Sequence, residues 1–144
     1  MNKTVQALNR QVADFGVLYV KLHNFHWLVT GPQFYQLHML FEKLYDEAAE
    51  RLDEVAERIL QKGGVPIATL KEFLARTSLT EARGNETPLE MINQTLYDFT
   101  TVNDGVRASL RIAQEEGDEN TADLLIGISK SLEKHLWMLG ALEK

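Results

Sequence analysis

Apolar residues recur at alternating steps of three and four along four long stretches of the chain. The first runs Val5, Leu8, Val12, Phe15, Tyr19, Leu22, and the second Leu37, Phe41, Leu44, Ala48, Leu52, Val55, Ile59. The third is Leu89, Ile92, Leu96, Phe99, Asn103, Val106, Leu110, with one polar member, and the fourth is Leu125, Ile128, Leu132, Leu136, Leu139. That spacing gathers the apolar side chains on one face of an α-helix. No stretch of comparable length alternates with period two, so the pattern requires no strand.

Punctuation agrees with the period. Gly31-Pro32 stops the first helix and opens the second, Gly63-Gly64 ends the second, and Gly117 separates the third from the fourth. Thr87-Pro88-Leu89-Glu90 reads as a capping box with proline at the first helical position. The pattern predicts helices over Thr4 to Val29, Gln33 to Lys62, Pro88 to Glu116 and Asn120 to Leu142. The first and third connections are short, so each joins antiparallel neighbours. The middle connection, Gly63 to Thr87, is long enough to run the length of a bundle and carries a short apolar piece at Leu70, Phe73 and Leu74. The expected architecture is all-α: one domain over residues 1–144, a four-helix bundle with a single long crossover, the connectivity of ferritin-like folds.

Composition narrows the chemistry. Cysteine is absent, which excludes thiol catalysis, Cys-ligated zinc and iron–sulfur clusters. Fifteen Lys and Arg stand against 21 Asp and Glu, for a formal net charge of −6. Such a chain repels phosphate backbones unless its basic residues cluster. Neither a signal-peptide run nor an apolar stretch approaching the roughly 20 residues of a membrane span is present, so the expected location is cytoplasmic.

The second helix carries a stripe beside its apolar seam. At about 100° per residue measured from His38, Glu42 falls near 40°, Asp53 near 60°, Asp46 near 80° and Glu57 near 100°. The apolar seam lies at roughly 240° to 320° on the same wheel. Imidazole with carboxylates suits Fe(II), Mn(II) or Zn(II). Acidic residues also simply face water: Glu47 with Arg51 and Glu54 with Arg58 have the spacing of ordinary solvated ion pairs. On the first helix, His26 continues the seam, where a buried imidazole needs a partner, most simply a backbone carbonyl.

His38 and Asp53 are fifteen residues apart, about 22 Å along the axis at ~1.5 Å per residue, too far to share a metal within one chain. Two copies of the helix packed antiparallel about a two-fold axis remove the obstacle. Pairing 38 with 57 and 42 with 53 implies one common centre, between Glu47 and Ala48, where Ala48 and Ala49 are small enough for close approach. Each of two identical sites then takes His38 and Glu42 from one chain and Asp53 and Glu57 from its mate. A site within one chain predicts paired Glu-x-x-His motifs, and none of His23, His26, His38 or His135 has Glu three residues before it.

Several of these residues also form a family pattern. Lys21-Leu22-His23-Asn24-Phe25-His26-Trp27, Gly31-Pro32-Gln33-Phe34, Leu37-His38 and Asp53-Glu54-Val55-Ala56-Glu57-Arg58 resemble the core of the Dps mini-ferritins. Gly63-Gly64, Thr69-Leu70-Lys71-Glu72-Phe73 and Lys134-His135-Leu136-Trp137-Met138 match as well, so the resemblance runs almost end to end. It implies a short helix in the crossover, a hollow homododecamer of 23 symmetry, and intersubunit centres holding two irons each. There Fe(II) is oxidised to Fe(III), preferentially by hydrogen peroxide, and stored as mineral. Residue by residue, it implies His26 and His38 as ligands from one chain and Asp53 and Glu57 from the partner. Glu42 stands where the family commonly has Asp, which keeps the charge and lengthens the arm. The position built on His26, Asp53 and Glu57 is expected to fill first, and that of His38 and Glu42 more weakly.

The resemblance further implies an acidic three-fold pore for iron entry, with Glu119 and Asp123 as candidates, and a radical sink at Trp27. Packing is the ordinary reading of a tryptophan, and the acidic residues near Glu119 also favour a helix N-terminus. Glu47, Glu50 and Glu54 are candidates for seeding mineral, and His23 and His135 are read as structural. DNA compaction is the alternative function. The first eleven residues hold only Lys3 and Arg10 as basic groups, and the chain is acidic, so little or no DNA binding is expected near neutral pH. A metal-free bundle that docks partners is the remaining possibility, separated from the first by anaerobic Fe(II) titration.

Overall fold

The structure, a computed structural model, describes residues 2–143. Their elements are α1 (Lys3–Leu28), α2 (Phe34–Gln61), α3 (Leu70–Arg76), α4 (Pro88–Glu115) and α5 (Glu119–Ala141), with no strand among the described residues. None of these helices is long and apolar enough to cross a membrane.

The ends lie where local chemistry places them. Asn2 caps α1 through bonds from the Thr4 and Val5 amides, and the Thr87/Glu90 capping box closes reciprocally at the start of α4. At the far end of α2, Gly63 adopts a φ of 84°, and the Gly63 and Gly64 amides bond back to the carbonyls of Leu60 and Ile59. Gly117, at φ 72°, repeats this arrangement after α4, with Gly117 and Asp118 bonding to Gln114 and Ala113. A left-handed residue with two returning amides is the glycine-dependent way to stop a helix.

Cross-helix contacts give the topology. Thr4 bonds Glu116, Gln11 bonds Ser109 and Lys21 pairs with Asp98, so α1 and α4 are antiparallel. The Tyr19–Tyr45 and His26–His38 contacts make α1 and α2 antiparallel too, leaving α2 and α4 parallel, as the long crossover requires. Asn103 with Ser129 and Phe99 with His135 set α4 against α5 in the same manner. The four-helix bundle with one crossover and a short helix within it is therefore the fold expected. Its core follows the predicted seams, from Leu8, Val12 and Phe15 through Phe41, Val55 and Ile59 to Val102, Leu125 and Ile128.

Three expectations are corrected. Leu89, assigned to the third seam, is 60% exposed, because in the first turn it follows Pro88 on the outer side and Met91 takes the core position. Glu54 does not pair with Arg58 but with Arg51 at 3.0 Å, since Arg58 reaches across to α5, to Thr121 Oγ1 at 2.8 Å and Asp118 at 3.3 Å. Glu47 is more than a solvated partner of Arg51. It also accepts from Ser131 Oγ and His135 Nε2, fastening α2 to α5.

That fastening has a pH consequence. Burial alone would raise the Glu47 carboxyl, but the His135 and Ser131 bonds and the neighbouring Arg51 outweigh it and hold its pKa at about 2, below the ordinary 4.5. A depressed carboxylate contributes stability that is complete above the ordinary value and is lost as pH falls from there through the folded value. Glu47→Gln is expected to be less stable than wild type at pH 7, with the two converging near pH 2 when helicity is followed through urea titrations at each pH. Parallel curves throughout that window would refute the assignment.

The crossover is anchored by buried charge. Asp14 accepts from the Thr77 hydroxyl at 2.8 Å and the Ser78 amide at 2.7 Å, while Lys21 donates to the Thr80 carbonyl at 2.7 Å and pairs with Asp98 at 2.8 Å. Burial raises the pKa of both carboxyls, against the bonds that hold them. Gly16 leaves room for the ring of Phe73, because a Cβ there would lie 2.5 Å from Phe73 Cδ2. α3 can therefore lie close on α1.

Candidate metal centre

His26 lies in the last turn of α1, 6% exposed, and His38 in the second turn of α2, half-buried. Between them the chain turns at Gly31, whose φ of 103° suits a residue without a side chain. The two imidazoles stack at 3.8 Å between centroids and 14° between planes. Each Nδ1 is 2.7 Å from the other residue's backbone carbonyl: His26 Nδ1 from the His38 oxygen, His38 Nδ1 from the His26 oxygen. A carbonyl only accepts, so each Nδ1 carries a proton and donates it, and Nε2 is the nitrogen that offers a lone pair in the neutral form of each ring. The backbone-carbonyl partner expected for His26 is present, and it is what frees the other nitrogen. A ring held at one nitrogen and free at the other has the form of a metal-ligating histidine.

Glu42 lies one turn beyond His38, its Oε1 3.9 Å from His26 Nε2. That is too long for a hydrogen bond. With the ring in its neutral form, a lone pair and a carboxylate face each other across that gap as two acceptors, which a cation relieves. Phe34 stacks on the other face of His38 at 4.9 Å, and Tyr45 meets the His26 ring edge-on at 5.2 Å.

Asp53 and Glu57 lie further along α2, both exposed. The structure brings His26, His38 and Glu42 together and leaves Asp53 and Glu57 apart from them. Among the described residues, no three His, Cys, Asp or Glu of one chain are placed to hold a metal ion. Asp53 borders an apolar depression of about 380 Å³ between α1, α2 and the crossover, walled by Val12, Tyr19, Ala49, Leu52 and Phe73. Of the two alanines expected at the helix approach, Ala48 is 3% exposed and turned into the chain's own core. Ala49 opens on this depression together with Ala56, which shares its side of the helix.

Glu119 and Asp123 are exposed in the first turns of α5, bordering a shallow polar depression with Gln114, Asn120 and Ile126. Neighbouring Asp118 is otherwise engaged. It caps α5 through Thr121 and pairs with Arg58 and Lys62, and the Lys62 and Thr121 bonds lower its pKa against the effect of burial. Trp27 is 67% exposed, with its ring 5.2 Å from that of His23. Residues not singled out from sequence are Tyr45, beside His26, and the Lys21–Asp98 pair. Helical spacing alone marks Tyr45 as one more residue beside a seam.

Comparison with known proteins gives a consistent picture. The model of the ferritin-like domain matches residues 5–144. A relative called DNA protection during starvation protein 2, from Bacillus anthracis, is 51% identical over 142 residues, covering 98% of this chain and 97% of its own length. The crystal structure of a Dps protein from Bacillus brevis superposes with a TM-score of 0.96 at 48% identity, covering 98% of this chain and 95% of that one. A Vibrio cholerae Dps protein, described as a member of a broad superfamily of ferritin-like diiron-carboxylate proteins, gives 0.96 at 30% identity, covering 99% and 89%.

Proposed function

Because the chain belongs to the Dps mini-ferritin family, we propose that it oxidises Fe(II) at centres shared between two-fold-related subunits and stores the ferric product inside a hollow twelve-chain cage. Hydrogen peroxide is the preferred oxidant, the cell interior the setting, and protection from oxidative damage the outcome. The observation that carries this reading is the His26–His38 pair, with both Nε2 atoms free and Glu42 facing one of them.

Iron is the substrate. In this reading His26 binds one Fe(II) together with the partner's Asp53 and the partner's Glu57, and His38 with Glu42 binds a second. The carboxylates favour Fe(III) over Fe(II) by charge, and Glu57 is long enough to bridge the two positions. Two Fe(II) with one H₂O₂ and two protons give two Fe(III) and two H₂O, so a filled pair supplies both electrons the peroxide needs and forms no hydroxyl radical. Glu119 and Asp123 offer negative charge at an iron entrance.

Asp53→Ala combined with Glu57→Ala is expected to abolish rapid Fe(II) oxidation, followed by ferric absorbance, and to leave the far-ultraviolet circular dichroism of the bundle in place. Both residues are exposed, so their loss leaves the core untouched. An unchanged oxidation rate would overturn the assignment. DNA protection is what the relatives' names state, but the acidic balance of this chain favours iron chemistry as the primary role.

A further inference from the structure

A cavity of about 190 Å³ lies between α1, α3 and the chain that follows α3. It stands apart from the candidate metal centre, and none of His26, His38, Glu42, Asp53 or Glu57 lines it. Val17 and Val20 on one side and Leu70, Phe73 and Leu74 on the other give it apolar walls, with Val20, Leu70 and Leu74 exposed at its mouth. Gly16, also on the wall, leaves room for the Phe73 ring beside it. Three polar residues complete the lining. Lys21 is committed, its ammonium donating to the Thr80 carbonyl and paired with Asp98. Glu81 is exposed. Asn24 differs from both: its Oδ1 is buried and has no hydrogen-bond partner among the described residues.

We propose that this cavity binds a small neutral aromatic molecule carrying one O–H or N–H donor, of the phenol class. Size sets the body of the ligand. A dry apolar cavity of about 150 Å³ holds benzene, so this one takes a single substituted ring. Asn24 sets the head. A buried amide oxygen left unpaired is costly, and a lone water is poorly held beside one open acceptor, because it needs two to four polar partners. A ring hydroxyl donates to Asn24 Oδ1 while the ring covers the apolar walls, so one molecule answers both needs. Charge excludes the acidic alternatives. Lys21 is matched by Asp98 and Glu81 is left over, so a carboxylate or phosphate meets net negative charge at the mouth. A ring seated there touches α1 and α3 together and fastens the crossover helix to the bundle, which stabilises the folded state by mass action.

The test is calorimetric titration of the assembled protein with phenol and with toluene, two rings of like size that differ in the donor. Wild type is expected to bind phenol about ten-fold more tightly than toluene, the effect of one hydrogen bond to a buried acceptor. Asn24→Leu, which keeps the volume and removes the acceptor, is expected to reverse that order. Val20→Trp, at the exposed mouth, is expected to fill the space and bind neither. Crystals of the wild type soaked with 4-bromophenol are expected to show the anomalous signal of bromine between α1 and α3. Equal affinity of the wild type for the two probes would overturn the role of Asn24 and the ligand class with it. Binding of neither probe, or an unchanged phenol affinity in Val20→Trp, would overturn the site itself. The wild-type comparison decides even where a variant fails to assemble.

Discussion

Co-assembling two inactive chains is expected to restore Fe(II) oxidation. One chain carries His26→Gly and His38→Gly, the other Asp53→Ala and Glu57→Ala, and each alone assembles dead centres. In a mixed dimer one of the two symmetry-related centres has lost all four groups and the other has kept them all. With random pairing, about a quarter of the centres are intact, because half the dimers are mixed and each has one good centre of two. A centre contained in one chain predicts no recovery at any ratio, so co-expressed and separately purified samples at matched iron loading decide between the two arrangements. The expectation follows from the placement of His26, His38 and Glu42 at one end of the α1–α2 pair and of Asp53 and Glu57 further along α2.

The second large effect concerns Lys21. Its side chain is 4% exposed and its ammonium supplies the cation beside Asp98, which is 5% exposed and close enough to Asp14 to feel its charge. Lys21→Met keeps the length and removes the charge, leaving a buried carboxyl without its cation and the Thr80 carbonyl without its donor. Breaking a buried pair from one side costs about 3–5 kcal/mol, whereas replacing both partners with apolar groups costs much less. Lys21→Met is expected to lower the urea midpoint sharply at fixed protein concentration, and adding Asp98→Leu to recover much of the loss. Equal losses in the single and double variants would show that the pair is not coupled.

The bundle was readable because its rules are local. Gly63, Gly117 and the Thr87/Glu90 box ended helices where backbone chemistry demands it, and the length of the crossover then left one topology. The stripe from His38 to Glu57 was readable for the same reason, since an angle on a helix needs only the spacing. What could not be read depends on which side chains meet across helices. Lys21, Asp14 and Asp98 look like solvent positions until α1, α4 and the crossover are brought together. Ala48 and Ala49 are equivalent in size, and only the packing of the bundle shows that one is inside and the other is not. His135, read as structural, is structural, but its partner Glu47 lies 88 positions away.

In the shared centre proposed above, the crossed bonds between His26 and His38 imply a division of work between its two halves. The rings are clamped to the main chain of the hairpin and stand ready before any ion arrives, so this half behaves as a fixed jaw. Asp53 and Glu57 sit on an open helical surface and can swing, giving an adjustable one. Iron contracts when it loses an electron. A vice with one rigid and one yielding side can follow that contraction without deforming the bundle, and can let go of the product once it has turned over.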